Sequence, residues 1–347
     1  PAGPWSAQWW QATTPQTATT GMEAPAQRNL LQLPGAGGAP CQKRTRFRAW
    51  QESESAREGR DAPAGANNIR VAVRIRPFNA REQAEMGGTT PVVQVLGNCI
   101  TIDQAHGSCA SSYSAKADKS FTYDHVFNSI DRSSHAYATQ EQVFEDVGFP
   151  VLENAFNALN GCLLAYGQTG SGKSHSVLGD PRSEADKGIL PRACETVFEM
   201  IAAKRAETQE SGGRWQATVL VSYLEIYQEK MFDLLVSKRA DLQVRLHPTL
   251  GPHVPQLTEC PVNSIAEIEE LLDFGSKNRA VSATSMNAQS SRSHAVFTIE
   301  LRMNHNGKDQ NSKIHFVDLA GSEKQKKTEA EGARLQEGIA INQSLTT

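Results

Sequence analysis

Residues Gly167-Gln168-Thr169-Gly170-Ser171-Gly172-Lys173-Ser174 match the pattern G-x-x-x-x-G-K-[ST] at every fixed position. No other feature constrains the fold of this chain as strongly. From average residue usage, a chance match in a chain of this length arises roughly once in a hundred. A short apolar run at residues 161–166 precedes the loop and a helix can follow it, so the expected unit is strand, phosphate-binding turn, helix. Glycines let consecutive backbone N–H groups turn inward onto phosphate oxygens, where a Cβ would collide. The start of the helix adds partial positive charge. On this reading Lys173 neutralises the β- and γ-phosphates of a nucleotide, and the Ser174 hydroxyl ligates Mg²⁺. The bland alternative is a glycine-rich turn with no chemical role.

A phosphate loop needs a metal-orienting carboxylate at the end of a neighbouring strand. Asp318, directly after Ile314-His315-Phe316-Val317, is placed to supply it. Gly321, three residues on, can offer its N–H to the γ-phosphate as switch loops do. Around this pair the chain alternates strand-like and helix-like segments. Residues 69–74 form a β-branched run stopped by Pro77, and residues 218–227 form an apolar one. Val143, Val147, Val151, Ala155 and Leu159 recur every four residues, which predicts one amphipathic helix. Ser264 with Glu267 makes a capping-box pattern opening another. Residues 295–303 alternate apolar and polar as a strand does, and residues 313–317 add a further strand. Interleaved strands and helices predict an α/β fold of phosphate-loop NTPase type. Its central sheet would be mostly parallel or mixed, with helices on both faces.

Residues 1–66 are a different polymer. They hold 7 Gly and 7 Pro, much Ala, Thr and Gln, and little apolar periodicity. Such a stretch cannot bury enough surface to offset its ordering entropy, so it is expected to be a disordered tail preceding a domain at 67–347. Four of the five tryptophans (Trp5, Trp9, Trp10, Trp50) nonetheless fall in it. A partner-binding motif would explain them, and so would a wrongly extended gene model. The tail takes 7 of 35 Lys+Arg and 5 of 38 Asp+Glu, which leaves the remainder acidic. With no broad basic excess, nucleic acid is not an expected partner. No apolar run reaches 18 residues, so no membrane insertion is expected. Six scattered cysteines without C-x-x-C spacing read as free packing thiols.

Two further motifs carry a resemblance. Asn287-Ala288-Gln289-Ser290-Ser291-Arg292-Ser293-His294 and Asp318-Leu319-Ala320-Gly321-Ser322-Glu323 resemble the two nucleotide switches of kinesins. The phosphate loop and Arg74-Ile75-Arg76-Pro77 resemble the family's other two nucleotide motifs, and all four stand in family order over residues 68–347. Residues 222–227 and 245–252 resemble kinesin class three, the processive transporters. The resemblance implies an ATP-hydrolysing, microtubule-stimulated motor of the cytoplasmic cytoskeleton, with ATP and Mg²⁺ as ligands and the microtubule as partner. It implies that Arg74, Arg76, Pro77 and His175 hold the adenine. Ser291 positions the lytic water, and Arg292 pairs with Glu323 to close the site. Without the family, the Arg292–Glu323 pair reads as a surface ion pair contributing under about 1 kcal/mol. A non-motile, nucleotide-switched microtubule binder and an unrelated phosphate-loop ATPase are the two alternatives.

The chain ends at Thr347, inside what the resemblance makes the long helix after the second switch. A neck linker, and any dimer-forming region, would lie beyond it, so directed movement is not expected of residues 1–347 alone. Gln336 and Gln343 stand where the family commonly has Lys, which should weaken docking on an acidic lattice. Lys324, Lys326 and Lys327 are placed to compensate.

Overall fold

The computed structural model describes residues 50, 68–86, 92–103, 118–180, 182–238, 240–248, 251–281, 291–323 and 345. The expectations placed on 1–49 and 51–67, on 249–250, on 287–290, on 324–344 and on 346–347 lie outside the described residues. All described residues belong to one compact unit, Cys41–Thr347.

In chain order the elements begin with β1 (Ala72–Ile75), α1 (Ala80–Met86), β2 (Val93–Leu96), β3 (Cys99–Ile102), β4 (Lys119–Thr122) and β5 (His125–Asn128). Next come α2 (Gln140–Val143), a π-turn (Phe144–Gly148), α3 (Phe149–Phe156) and β6 (Gly161–Ala165). Then follow α4 (Lys173–Val177), α5 (Ile189–Glu210), β7 (Trp215–Tyr227), β8 (Lys230–Asp233) and β9 (Asp241–Leu242). The last are β10 (Arg245–His247), β11 (Gly251–His253), β12 (Cys260–Val262), α6 (Ile265–Val281), β13 (His294–His305) and β14 (Lys308–Asp318).

The main sheet runs β6-β14-β13-β7-β8-β9, with β12 also on β7. It is mixed rather than mostly parallel: β6 lies parallel to β14, while the other pairs are antiparallel. β1 pairs in parallel with β5, and β2-β3-β4 form a small antiparallel sheet. Period-two alternation along β7 and β13 puts Val219, Val221, Tyr223, Phe297, Ile299 and Leu301 on one face. These six belong to the same buried cluster as Leu152 and Phe156 of α3, Val197 and Met200 of α5, and Ile268 of α6. Helices α3, α5 and α6 therefore cover this face. On the other, register aligns Ser222, Thr298, His315 and Cys162, and Thr298 Oγ1 lies 2.9 Å from His315 Nδ1.

The helix expected over 143–159 is broken in three. Pro150, near the start of α3, has no N–H to continue the ladder, and the π-turn before it absorbs the defect. Gly148 is needed there, because a Cβ would sit 2.6 Å from the Phe144 ring. Ala158 at φ +60° then stops the helix, leaving Leu159 53% exposed. The capping box is built with a shift. Ser264 Oγ accepts the Glu267 N–H at 3.3 Å, but the Glu267 carboxylate accepts from Asn263 N rather than from Ser264 N.

One residue departs from the expectation for 1–66. Trp50 is 3% exposed, with its ring edge-on to Phe156 at 5.9 Å, and Phe156 in turn stacks on Trp215 at 6.2 Å. At that position a large apolar surface, invisible to a composition count, outweighs the ordering cost. Trp50→Ala should therefore destabilise the fold by about 3 kcal/mol or more, the usual range for emptying a buried aromatic site. Trp50→Phe should cost about half of that or less. Urea denaturation checks both, and a loss below about 0.5 kcal/mol for the Ala variant would show that the ring adds nothing to the core.

Candidate nucleotide site

The site sits where β6 and β14 end side by side. Their parallel register sets Ala165 opposite Asp318, and Leu319 N–H donates to Ala165 O at 3.3 Å. The phosphate loop leaves the end of β6. Gly170 and Gly172 lie at φ +78° and +96°, in the left-handed region that only glycine enters without strain. At Gly167 a Cβ would meet Ser171 Oγ at 2.6 Å. Gly172 then starts α4, so Lys173 and Ser174 fall in its first turn.

The metal residues expected from the sequence come together. Ser174 Oγ donates to Asp318 Oδ2 at 2.7 Å, and Asp318 is 4% exposed. Its other oxygen, Oδ1, is buried and has no hydrogen-bond partner among the described residues. A buried carboxylate oxygen left open beside a hydroxyl is the oxygen-rich donor set a hard divalent cation takes, so these residues fit Mg²⁺. Lys173 Nζ donates to Gly167 O at 2.9 Å and Gln168 O at 3.0 Å. Burial lowers its pKa, while Asp318 and Glu323 pull it back up.

The two switch segments meet across this loop. Gly321 N–H donates to Ser291 O at 2.8 Å, and Ser322 N–H donates to Gly167 O at 3.2 Å. Ala320 N–H donates to His294 Nδ1 at 3.2 Å. Glu323 is engaged with the phosphate loop rather than with Arg292. Its Oε2 accepts Thr169 N–H at 2.9 Å, and its Oε1 accepts Thr169 Oγ1 at 2.6 Å. Burial resists the charged form of Glu323, but these hydrogen bonds and Lys173 outweigh it and leave its pKa lowered.

Arg74, Arg76, Pro77 and His175 line one cavity of about 370 Å³ between β1 and β6, beside Gly172 and Lys173. Arg74 is held within it: Nε donates to Ser129 Oγ at 3.1 Å, and Nη1 donates to Gln140 Oε1 at 2.5 Å and Ser176 Oγ at 3.1 Å. Arg76 turns to Glu82 at 2.6 Å, drawing that carboxyl's pKa down to about 2. His175 has a lowered pKa, mainly through burial and then through the Arg74 charge.

Three functional neighbours escaped the sequence reading. Gln140, 3% exposed, joins Arg74 and His175 by donating to His175 O at 2.7 Å while accepting from Arg74. Nothing in its sequence context marks it. Arg279, 8% exposed, lies 3.7 Å from Asp318 Oδ2 and 3.9 Å from Glu225 Oε1, and donates to Ser293 Oγ and Ser293 O at 3.2 and 3.0 Å. At the end of a helix it reads as an ordinary solvated cation. Glu225 did leave a signal: alternation from Val219, Val221 and Tyr223 puts a carboxylate on the core face, which demands a buried cation.

A kinesin motor domain family model matches residues 74–347. The chain belongs to the kinesin motor-domain family. Kinesin-like protein unc-104 of Caenorhabditis elegans is 44% identical over 288 residues, 81% of this chain and 17% of that protein. Mouse KIF13A is 45% identical over 289 residues (80% and 16%), and human KIF1C is 42% identical over 292 (82% and 25%). These kinesin-3 relatives agree with the class that residues 222–227 and 245–252 pointed to. The chain spans a quarter or less of each relative's length. Among solved structures, KIF14 residues 391–755 with ADP on a microtubule superpose at a TM-score of 0.68 with 38% identity, covering 80% of this chain and 76% of that one. A fast kinesin superposes equally well at 35% identity, covering 81% and 73%.

Replacing Arg279 by Met should destabilise the kinesin fold by about 3–5 kcal/mol, because two buried carboxylates lose their cation. Adding Glu225→Gln to that variant should recover part of the loss. Denaturant midpoints of the parent, both single variants and the double variant decide it, and additive losses in the double variant would contradict the pairing.

Proposed function

We propose that this chain is the ATP-hydrolysing, microtubule-stimulated portion of a cytoskeletal motor. One observation carries the reading: Ser174 and Asp318 share a 2.7 Å hydrogen bond beside Lys173, while the other Asp318 oxygen is buried with no hydrogen-bond partner among the described residues. That is a ready site for a metal-bound polyphosphate. The family membership speaks against an unrelated phosphate-loop ATPase. The similar solved structures of KIF14, with ADP or AMP-PNP in complex with a microtubule, favour the motor over a non-hydrolysing binder.

In this reading the chain's residues position rather than attack. Loop amides and Lys173 hold the phosphates, and Ser174 and Asp318 would hold Mg²⁺, whose charge offsets that developing on the phosphate oxygens. Arg74, Arg76, Pro77 and His175 contact the adenine, with Gln140 fixing the orientation of the first and the last. Ser291 orients the lytic water. Gly321, whose N–H now serves Ser291 O, turns toward the terminal phosphate, and Arg292 meets Glu323 as the switches close. No strong base is required, since phosphoryl transfer depends on alignment and charge.

The test is single-turnover ATP hydrolysis with and without microtubules. The parent should hydrolyse ATP, and faster on microtubules. Arg292→Ala should bind ATP almost as well but hydrolyse it at least about a hundredfold more slowly, a barrier increase of about 2.7 kcal/mol. Turnover in that variant within about threefold of the parent would remove Arg292 from the closing step. A parent with no turnover under either condition would overturn the motor reading in favour of a nucleotide-switched binder.

A further inference from the structure

The donors assigned to phosphate are occupied by the protein itself. Lys173 Nζ serves the carbonyls of Gly167 and Gln168, and Gly321 N–H serves Ser291 O. At Thr169 of the same loop the protein's substitute is an anion. The Glu323 carboxylate takes both the amide and the hydroxyl of Thr169, with two separate oxygens, at 2.9 and 2.6 Å. Two anionic oxygens accepting N–H and O–H from a phosphate loop are the chemistry of a phosphate group.

The location is specific. Glu323 reaches the loop by folding back over Gly321, the residue whose N–H is assigned to the terminal phosphate. A Cβ on Gly321 would lie 2.3 Å from Glu323 Oε2 and 2.4 Å from Thr169 Oγ1, so only glycine leaves room for the carboxylate there. Lys173 lies close enough to help keep the carboxylate charged. A group stacked over Gly321, in contact with Thr169 and in the field of Lys173, stands where a third phosphate must arrive. A diphosphate places nothing there.

The geometry points to Glu323 as an internal stand-in for the terminal phosphate: its carboxylate latches the resting phosphate loop through Thr169, and a triphosphate must expel it to bind. This rests on the nucleotide reading above and adds a regulatory step to it. Expulsion frees Glu323 for Arg292 at the moment the γ-phosphate enters, so one carboxylate reports the presence of that phosphate to both switch segments. The latch discriminates against triphosphate in the resting protein and leaves diphosphate nearly untouched. No covalent step is involved; one set of hydrogen bonds replaces another.

Equilibrium binding of ADP and of the non-hydrolysable triphosphate AMP-PNP, both with Mg²⁺ and on the full chain, tests the latch. The readout is the ratio of the two dissociation constants, which a general loss of folding or of phosphate affinity does not move in a set direction. Glu323→Gln and Glu323→Ala should each shift the ratio toward AMP-PNP, the Ala variant by about tenfold, equivalent to about 1.4 kcal/mol. Thr169→Val, which removes the hydroxyl and keeps the amide, should shift it the same way by less. A ratio within about twofold of the parent in both Glu323 variants, or a shift toward ADP, would overturn the latch while leaving the nucleotide site standing. A parent that binds neither nucleotide would instead overturn the nucleotide reading, and the latch with it.

Discussion

Everything at the candidate site depends on one strand pairing. Parallel alignment of β6 with β14 sets Ala165 opposite Asp318, and from it Ser174, eight residues into the loop and helix, comes back to within 2.7 Å of that carboxylate. A slip of one residue would turn Asp318 to the other face of the sheet, because side chains alternate along a strand. The register is held by long neighbours. β14 pairs with β13 over eleven positions and β13 with β7 over twelve, so the short β6 strand docks on an edge that is already fixed.

Behind the site lies a polar layer that the core has to tolerate. Arg279, Glu225, Ser293 and Asp318 are all at least 91% buried, with the Arg279 guanidinium facing both carboxylates. A single cation near two carboxylates holds the end of α6 to β7 and β14 at once. Such networks are costly to leave half-satisfied. Their placement here ties Asp318 to a helix and to a strand distant in sequence. The switch segment containing Ser293 and His294 is attached to the same layer through Arg279 and Ala320.

The phosphate loop was legible because its chemistry restricts residue type at fixed spacing. Glycines at 170 and 172 must take positive φ, and the Lys-Ser pair must follow directly. Asp318 was legible because a strand end next to such a loop calls for a carboxylate. The strand β13 showed its alternation, and β14 its apolar run before Asp318. The π-turn did not show in the apolar period, since Val143, Val147 and Val151 keep their spacing whether or not the ladder is regular; Pro150 was the available clue. Gln140 acts through neighbours 35 and 66 residues away in sequence, and Arg279 through neighbours 14 to 54 residues away, and local pattern carries no trace of such contacts. Trp50 shows the opposite failure, where averaging over a polar stretch concealed one side chain with enough area to bury itself. For Arg292 and Glu323 the motifs identified the residues but not their resting partners, because a switch side chain has two sets of contacts and a sequence does not say which is made.

The central claim is that the β6–β14 pairing assembles a Mg²⁺–nucleotide site from Ser174 and the open oxygen of Asp318. ADP affinity measured with Mg²⁺ and again after chelation, in the parent and in Asp318→Asn, tests it most directly. The account predicts that chelation weakens ADP binding in the parent by more than about tenfold, about 1.4 kcal/mol, and that Asp318→Asn loses most of this metal dependence. Equal metal dependence in the two proteins, or none in the parent, would contradict it.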